Sequence, residues 1–104
     1  GICWDMGHYA YNTIKDGFPV ETVPAPETLK RIRHTHIHGI YDMETHFPVA
    51  DDEPIATYVN ALKASGYEGI YNLELVPGRF MKDFPDVRDA IESSILRLKE
   101  MIHS

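Results

Sequence analysis

Two rhythms of apolar and polar positions run along the chain. Short apolar runs that close on a polar or charged residue predict three strands: Gly1 to Asp5, Ile32 to Ile37, and Gly69 to Leu75. In the second, β-branched residues alternate with histidines; in the third, Ile70, Leu73 and Leu75 are apolar and Glu74 stands among them. The helical rhythm begins at Pro54, where Ile55, Tyr58, Val59 and Leu62 recur at i, i+3, i+4 and i+7, and Gly66 is placed to end that helix in a left-handed cap. A final helix from about Pro85 to Ile102 carries Val87, Ile91, Ile95, Leu98 and Ile102 on one stripe. Its acids come early (Asp86, Asp89, Glu92) and its bases late (Arg97, Lys99), as the helix dipole favours. A short helix near Glu27–Arg31 has Pro26 in its first turn. A Tyr-rich loop follows the first strand, a long polar loop runs from the second to about Glu53, and VPGRFMKDFP (76–85) is read as loop.

Strands that alternate with helices predict an α/β fold, a parallel βαβαβα segment with right-handed crossovers, in a single domain over residues 1–104. In such folds the carboxyl ends of the strands lie on one side, where active sites gather. Each strand here ends in residues able to bind a metal: Asp5 with His8, then His36 with His38, then Glu74. Three separate strand ends would therefore bring Asp, His and Glu together. That convergence carries more weight than the number of histidines in HTHIHGIYDMETH (34–46).

Composition narrows the setting. Hydrophobic residues make up 43% of 104 residues, enough for one packed core. Ten Lys and Arg against sixteen Asp and Glu give a net charge of −6 with no basic block, which disfavours nucleic acid and anionic membranes as partners. A single cysteine, Cys3, excludes an intrachain disulfide and suits a reducing, cytoplasmic compartment. No apolar run approaches the roughly 20 residues that span a bilayer, and no signal-peptide pattern opens the chain. The start on Gly-Ile-Cys-Trp, directly within an apolar stretch, reads as a cut inside a longer protein.

Each candidate has a plainer reading beside the functional one. Glu74 lies in an apolar strand, where an unpaired carboxylate is costly to bury; a cation or a hydrogen-bonding partner is expected unless the strand is an edge facing water. Asp5 has a serious competing reading as a helix cap or turn residue, but its D-x-x-H spacing to His8 favours contact with a ligand or substrate. His36 and His38 point to one face if the strand reaches that far, one as ligand and the other as its support; alone, either would be read as half-exposed surface. His34 is read as structural or exposed, Glu44 and His46 as loop residues, and His103 as tail. Trp4, Tyr9 and Tyr11 could line a sugar-sized pocket, although aromatic residues near a strand end more often belong to the core.

Together, WDMGH (4–8), HIHG (36–39) followed by ETHFP (44–48), ALKASGYEGI (61–70) and NLEL (72–75) resemble the xylose isomerase-like TIM-barrel superfamily. Within it they are most similar to the sugar phosphate isomerase/epimerase group and its relative endonuclease IV. The resemblance implies a divalent-metal site (Mn, Mg, Zn or Co) at the mouth of a barrel, with Asp5, His36 and Glu74 as ligands and His8 touching substrate or metal. It implies proton transfer next to the carbonyl of a sugar or sugar phosphate through an enediolate, with Glu74 as one of two exchanging carboxylates. Glu44 and His46 match the pair that binds an additional zinc in endonuclease IV, so an abasic-site phosphodiesterase is the alternative.

The chain departs from the family pattern at Gly39, where the family often has aspartate, and at Glu44, where it has aspartate. A fourth ligand, a glutamate from an earlier strand, has no counterpart here. A complete barrel needs about 250 residues, so the resemblance implies roughly the last three βα units, inactive alone and driven to self-associate or to pair with the N-terminal part of the barrel. Two other readings stand apart: a cupin-like barrel, suggested by His-x-His but ill-matched to two well-formed helices, and a non-catalytic metal-binding or interaction module.

Overall fold

A computed structural model of the chain describes residues 1–41, 43–49 and 54–103. Three parallel strands, β1 (Ile2–Asp5), β2 (Ile32–Ile37) and β5 (Asn72–Leu73), pair in the order β1-β2-β5, so strands successive along the fold lie side by side. Asp5 sits opposite His36, and His36 opposite Asn72. A parallel order requires helical returns. These are α1 (Met6–Lys15) and α2 (Pro26–Leu29) before β2, α3 (Ile55–Ala64) before β5, and α4 (Pro77–Phe80) and α5 (Val87–His103) after it. The molecule is thus mixed α/β around a small parallel sheet, and no helix of the described residues is long and apolar enough to cross a membrane.

Strand alternation sorts the sheet into two unlike faces. Trp4, Thr35 and Ile37 are buried on one, in a core with Met6, Leu29, Tyr58, Val59, Leu62 and Leu98 from the helices. The other face carries Cys3, Asp5, His34, His36, Asn72 and Glu74, all exposed or half-buried. Burying Ile55, Tyr58, Val59 and Leu62 on a single side fixes α3 as the periodicity predicts, and Gly66 ends it at a φ of 89°.

Several sequence expectations are corrected. The Tyr-rich stretch after β1 is the helix α1: the Asp5 side chain accepts the His8 N–H at 2.9 Å and caps it, so Gly7 and the tyrosines need no high propensity of their own. The long polar loop contains an antiparallel hairpin, β3 (Gly39–Tyr41) with β4 (Glu44–Phe47), while its expected end near Glu53 lies outside the described residues. The third strand is shorter than Gly69 to Leu75. The buried Thr35 hydroxyl donates to Ile70 O (2.8 Å) and accepts from Asn72 N–H (3.2 Å), taking ladder positions that backbone would otherwise fill. Within VPGRFMKDFP, residues 77–80 form α4, with Pro77 in its first turn and Phe80 buried. On α5 the buried positions are Ala90, Ser94 and Leu98, whereas Ile95 faces outward at 38% exposure. Trp4 and Tyr9 belong to the core rather than to a pocket: their rings meet edge to face at 5.5 Å, and the Tyr9 hydroxyl donates to Thr22 O.

Candidate metal centre

The parallel register sets Asp5 opposite His36 and His36 opposite Asn72, and Glu74, two residues further on along the same face, follows β5. The Glu74 N–H donates to Ile37 O at 2.8 Å and continues the ladder one residue past β5, which holds its Cα in place. One donor atom from each of the three residues lies within 4.8 Å of the others. His36 Nδ1 is 3.3 Å from Glu74 Oε2 and 3.8 Å from Asp5 Oδ2. Donors bound to one divalent ion at about 2.0–2.2 Å stand roughly 3–3.5 Å apart, so the trio is close to the spacing a shared cation requires. Two carboxylates and an imidazole also make a suitable donor set for Mn, Co or Zn. The residues fit a single divalent ion.

Of the readings that its sequence leaves open, the cap is observed, and the ligand reading has a suitable placement. It caps α1, and it faces the other two donors. Its Oδ1 accepts from the His8 N–H at 2.9 Å and from His38 Nε2 at 2.7 Å, while its Oδ2 meets His8 Nδ1 at 2.9 Å. Burial works to raise its pKa. The hydrogen bonds from His38 and from the His8 backbone and ring together outweigh that and hold the carboxyl well below the usual carboxylate range.

His38 lies one residue beyond β2 and is fully buried. Its Nδ1 accepts the His46 N–H at 2.9 Å, so in the neutral ring the proton is on Nε2 and is donated to Asp5. With both nitrogens committed, His38 supports Asp5 and has no lone pair for a metal. His8, His38 and His46 also cluster within 4.8 Å, but the loss of His38 as a donor leaves that trio unable to act as a three-histidine site. The ring of His38 rests against Gly7, where any Cβ would overlap it. Gly39, which stands where the resemblance leads one to expect aspartate, lies against the Pro48 backbone too closely for a side chain.

His46, expected in a solvated loop, is on β4 with its side chain only 13% exposed. It adopts a φ of 65°, unusual for a residue other than glycine. That turn places its ring flat against His38, with centroids 4.1 Å apart and planes 7° from parallel. Its Nε2 reaches Glu74 Oε1 at 3.2 Å. Desolvation, followed by the neighbouring His38, lowers its pKa against the opposing hydrogen bond to Glu74, so the neutral ring is favoured. Glu44 does not join His46: it is exposed and lines a separate cavity of about 340 Å³ with Tyr41, Phe47, Arg79, Lys82 and Asp83. His34 is exposed beside Asn72, and His103 lies at the end of α5.

Three contributors escaped the sequence reading. Gly7 makes room for His38; Thr45 Oγ1 is 3.1 Å from His46 Nδ1; and Arg79 Nη1 donates to Thr45 Oγ1 at 3.2 Å. Gly7 stands in the quoted WDMGH motif, but only the distant packing of His38 reveals its task. Neither threonine nor arginine is an ordinary ligand for a divalent ion, so composition offered no signal for the other two.

Over 65 residues, 62% of this chain, the sequence is 38% identical to an uncharacterized protein, MJ1188, of Methanocaldococcus jannaschii. The aligned part covers 24% of that protein, so the chain spans about a quarter of the relative's length. No family model matches the chain, and no solved structure matches it.

Proposed function

We propose that this chain carries the metal-bearing strand ends of a xylose isomerase-like barrel, and that the barrel is a metal-dependent isomerase or epimerase of a sugar or sugar phosphate. The observation that carries the reading is the convergence of Asp5, His36 and Glu74 from three adjacent parallel strands, with each carboxylate bonded to an imidazole from the second layer. The strand order and the bare polar face support it. Parallel sheets are ordinarily covered on both sides, and a face of Cys3, Asp5, His34, His36, Asn72 and Glu74 suits the interior of a closed barrel better than open water. The remaining strands, and a fourth carboxylate ligand, would come from outside this chain.

In this reading Asp5, His36 and Glu74 hold a divalent ion, which when bound polarises a substrate carbonyl. Glu74 moves the proton at the adjacent carbon, its Oε1 held by His46 and its Oε2 turned towards His36. Asp5, kept ionised by His38 and His8, retains its negative charge throughout. His8 is half-exposed with its Nδ1 occupied by Asp5, so its Nε2 is the nitrogen available to a substrate oxygen.

The abasic-site nuclease reading is the less favoured one, because, of its distinguishing pair, Glu44 is exposed while His46 is engaged by Thr45 and Glu74. Glu74→Gln in the full-length protein is expected to abolish turnover across a panel of ketoses and ketose phosphates while leaving the circular dichroism spectrum unchanged. Retained turnover refutes the role of Glu74. Cleavage of an abasic duplex, with no turnover of any sugar, replaces the isomerase reading with the nuclease one.

A further inference from the structure

Arg79, Thr45, His46 and Glu74 form a continuous line of contacts that the proposed chemistry does not by itself require. Arg79 Nη1 donates to Thr45 Oγ1 (3.2 Å), Thr45 Oγ1 meets His46 Nδ1 (3.1 Å), and His46 Nε2 meets Glu74 Oε1 (3.2 Å). The protons on this line can be assigned from its two ends. A guanidinium only donates and an ionised carboxylate only accepts. His46 Nε2 must therefore carry a proton to face Glu74, which leaves a lone pair on Nδ1 that needs a donor. Thr45 has one hydroxyl proton and accepts from Arg79 on its other side, so its proton is free to point at Nδ1.

We propose that Thr45 and Arg79 are positioning residues that fix His46 in its Nε2–H form and thereby orient the Glu74 carboxylate. Resting on the metal reading for its purpose but not for its geometry, this assignment makes the site a matched pair. Two stacked imidazoles, 4.1 Å apart, each direct one Nε2–H at one of the two carboxylates: His38 at Asp5 and His46 at Glu74. His46 also serves the other half, since its backbone N–H donates to His38 Nδ1. The positive φ of His46 allows both actions at once, because it sends the N–H towards His38 and the ring towards Glu74. Fixing one imidazole therefore helps to fix the other.

The test has two readouts on the full chain, taken without and with metal. The first is the tautomer of each histidine in long-range proton–nitrogen NMR spectra of the metal-free, ¹⁵N-histidine-labelled protein. The second is the affinity for Mn²⁺ by calorimetry. In the native sequence His46 and His38 should both give the Nε2–H signature. Thr45→Val should move His46 towards a mixture of tautomers and weaken Mn²⁺ binding about tenfold, the lower end of what lost support of a ligand causes. Thr45→Ser should restore both. Arg79→Met, at an exposed position that does not threaten folding, should shift His46 in the same direction by a smaller amount.

An Nδ1–H signature for His46 in the native chain overturns the assignment, as do unchanged spectra in both Thr45→Val and Arg79→Met. The expected tautomers without any Mn²⁺ binding would support the hydrogen-bond assignment and count against the metal reading, so the two failures are distinguishable.

Discussion

At the scale of single residues, the site depends on close approaches that only particular side chains permit. His38 is the clearest case. Its ring is completely buried, spends one nitrogen on the His46 backbone and the other on Asp5, and lies against Gly7 where there is no room for a methyl group. Gly7→Ala must push the ring away from Asp5 or open α1 at its first turn. The expected loss is about 1–3 kcal/mol of stability in urea denaturation, the usual cost of overpacking. The His38 tautomer signature should be lost with it. A stability unchanged within error would mean that His38 is not wedged there.

Much of this layer was legible in the sequence, and the boundary of legibility has a physical cause. Asp5, His36 and Glu74 could be found because each is a chemically competent residue at the end of an apolar run, and parallel pairing puts such ends together. Gly7, Thr45 and Arg79 could not, because their tasks exist only once residues some thirty positions apart are brought into contact. His46 was half-legible: its chemistry showed, but its positive φ and its burial did not.

At the scale of elements, the regular helices followed their periodicity and the irregular pieces did not. α3 is where Ile55, Tyr58, Val59 and Leu62 place it, because burial of one stripe is enough to define a helix. α1 was hidden by a glycine and a run of tyrosines. The signal for it was present in Asp5, three residues before His8, but a cap and a metal ligand look alike in one dimension. The β3–β4 hairpin was hidden because its pairing is interrupted by a register shift and two left-handed residues, Met43 and His46.

α1 and α4 pack against the hairpin, and α5 holds the chain just after it. Buried Ser94 accepts the Val49 N–H at 3.0 Å, and Arg97 donates to Val49 O at 3.0 Å, so both backbone polar groups of Val49, just after β4, are held by α5. Ser94→Ala would strand a buried N–H. A loss of about 1–3 kcal/mol in chemical denaturation is expected. Because the hairpin carries His46, faster backbone amide exchange at His46 and Phe47 should accompany it. A neutral substitution would show that water satisfies the Val49 N–H.

At the scale of the whole molecule, the parallel sheet is bare on one face and has β1 and β5 as edges. Ile2 and Ile70, beside those edges, are 39% and 68% exposed. Unpaired strand edges invite further strands, and a polar face set with carboxylates and imidazoles gains most from a partner that also neutralises charge. Sedimentation velocity on the isolated chain is therefore expected to show association that grows with concentration. A monomer that stays ideal into the high-micromolar range would contradict that expectation. It would leave the local geometry of Asp5, His36 and Glu74 untouched while removing the need for a covering partner.

The central claim is that these three strand ends hold one divalent ion. It is tested most directly by titrating the chain with Mn²⁺ and counting bound ion by electron paramagnetic resonance. The account predicts one site per chain. Its affinity should fall at least tenfold in each of Asp5→Asn, His36→Asn and Glu74→Gln, and should be unchanged in His103→Asn, far along α5. No saturable site, or a site equally strong in all four variants, would contradict it.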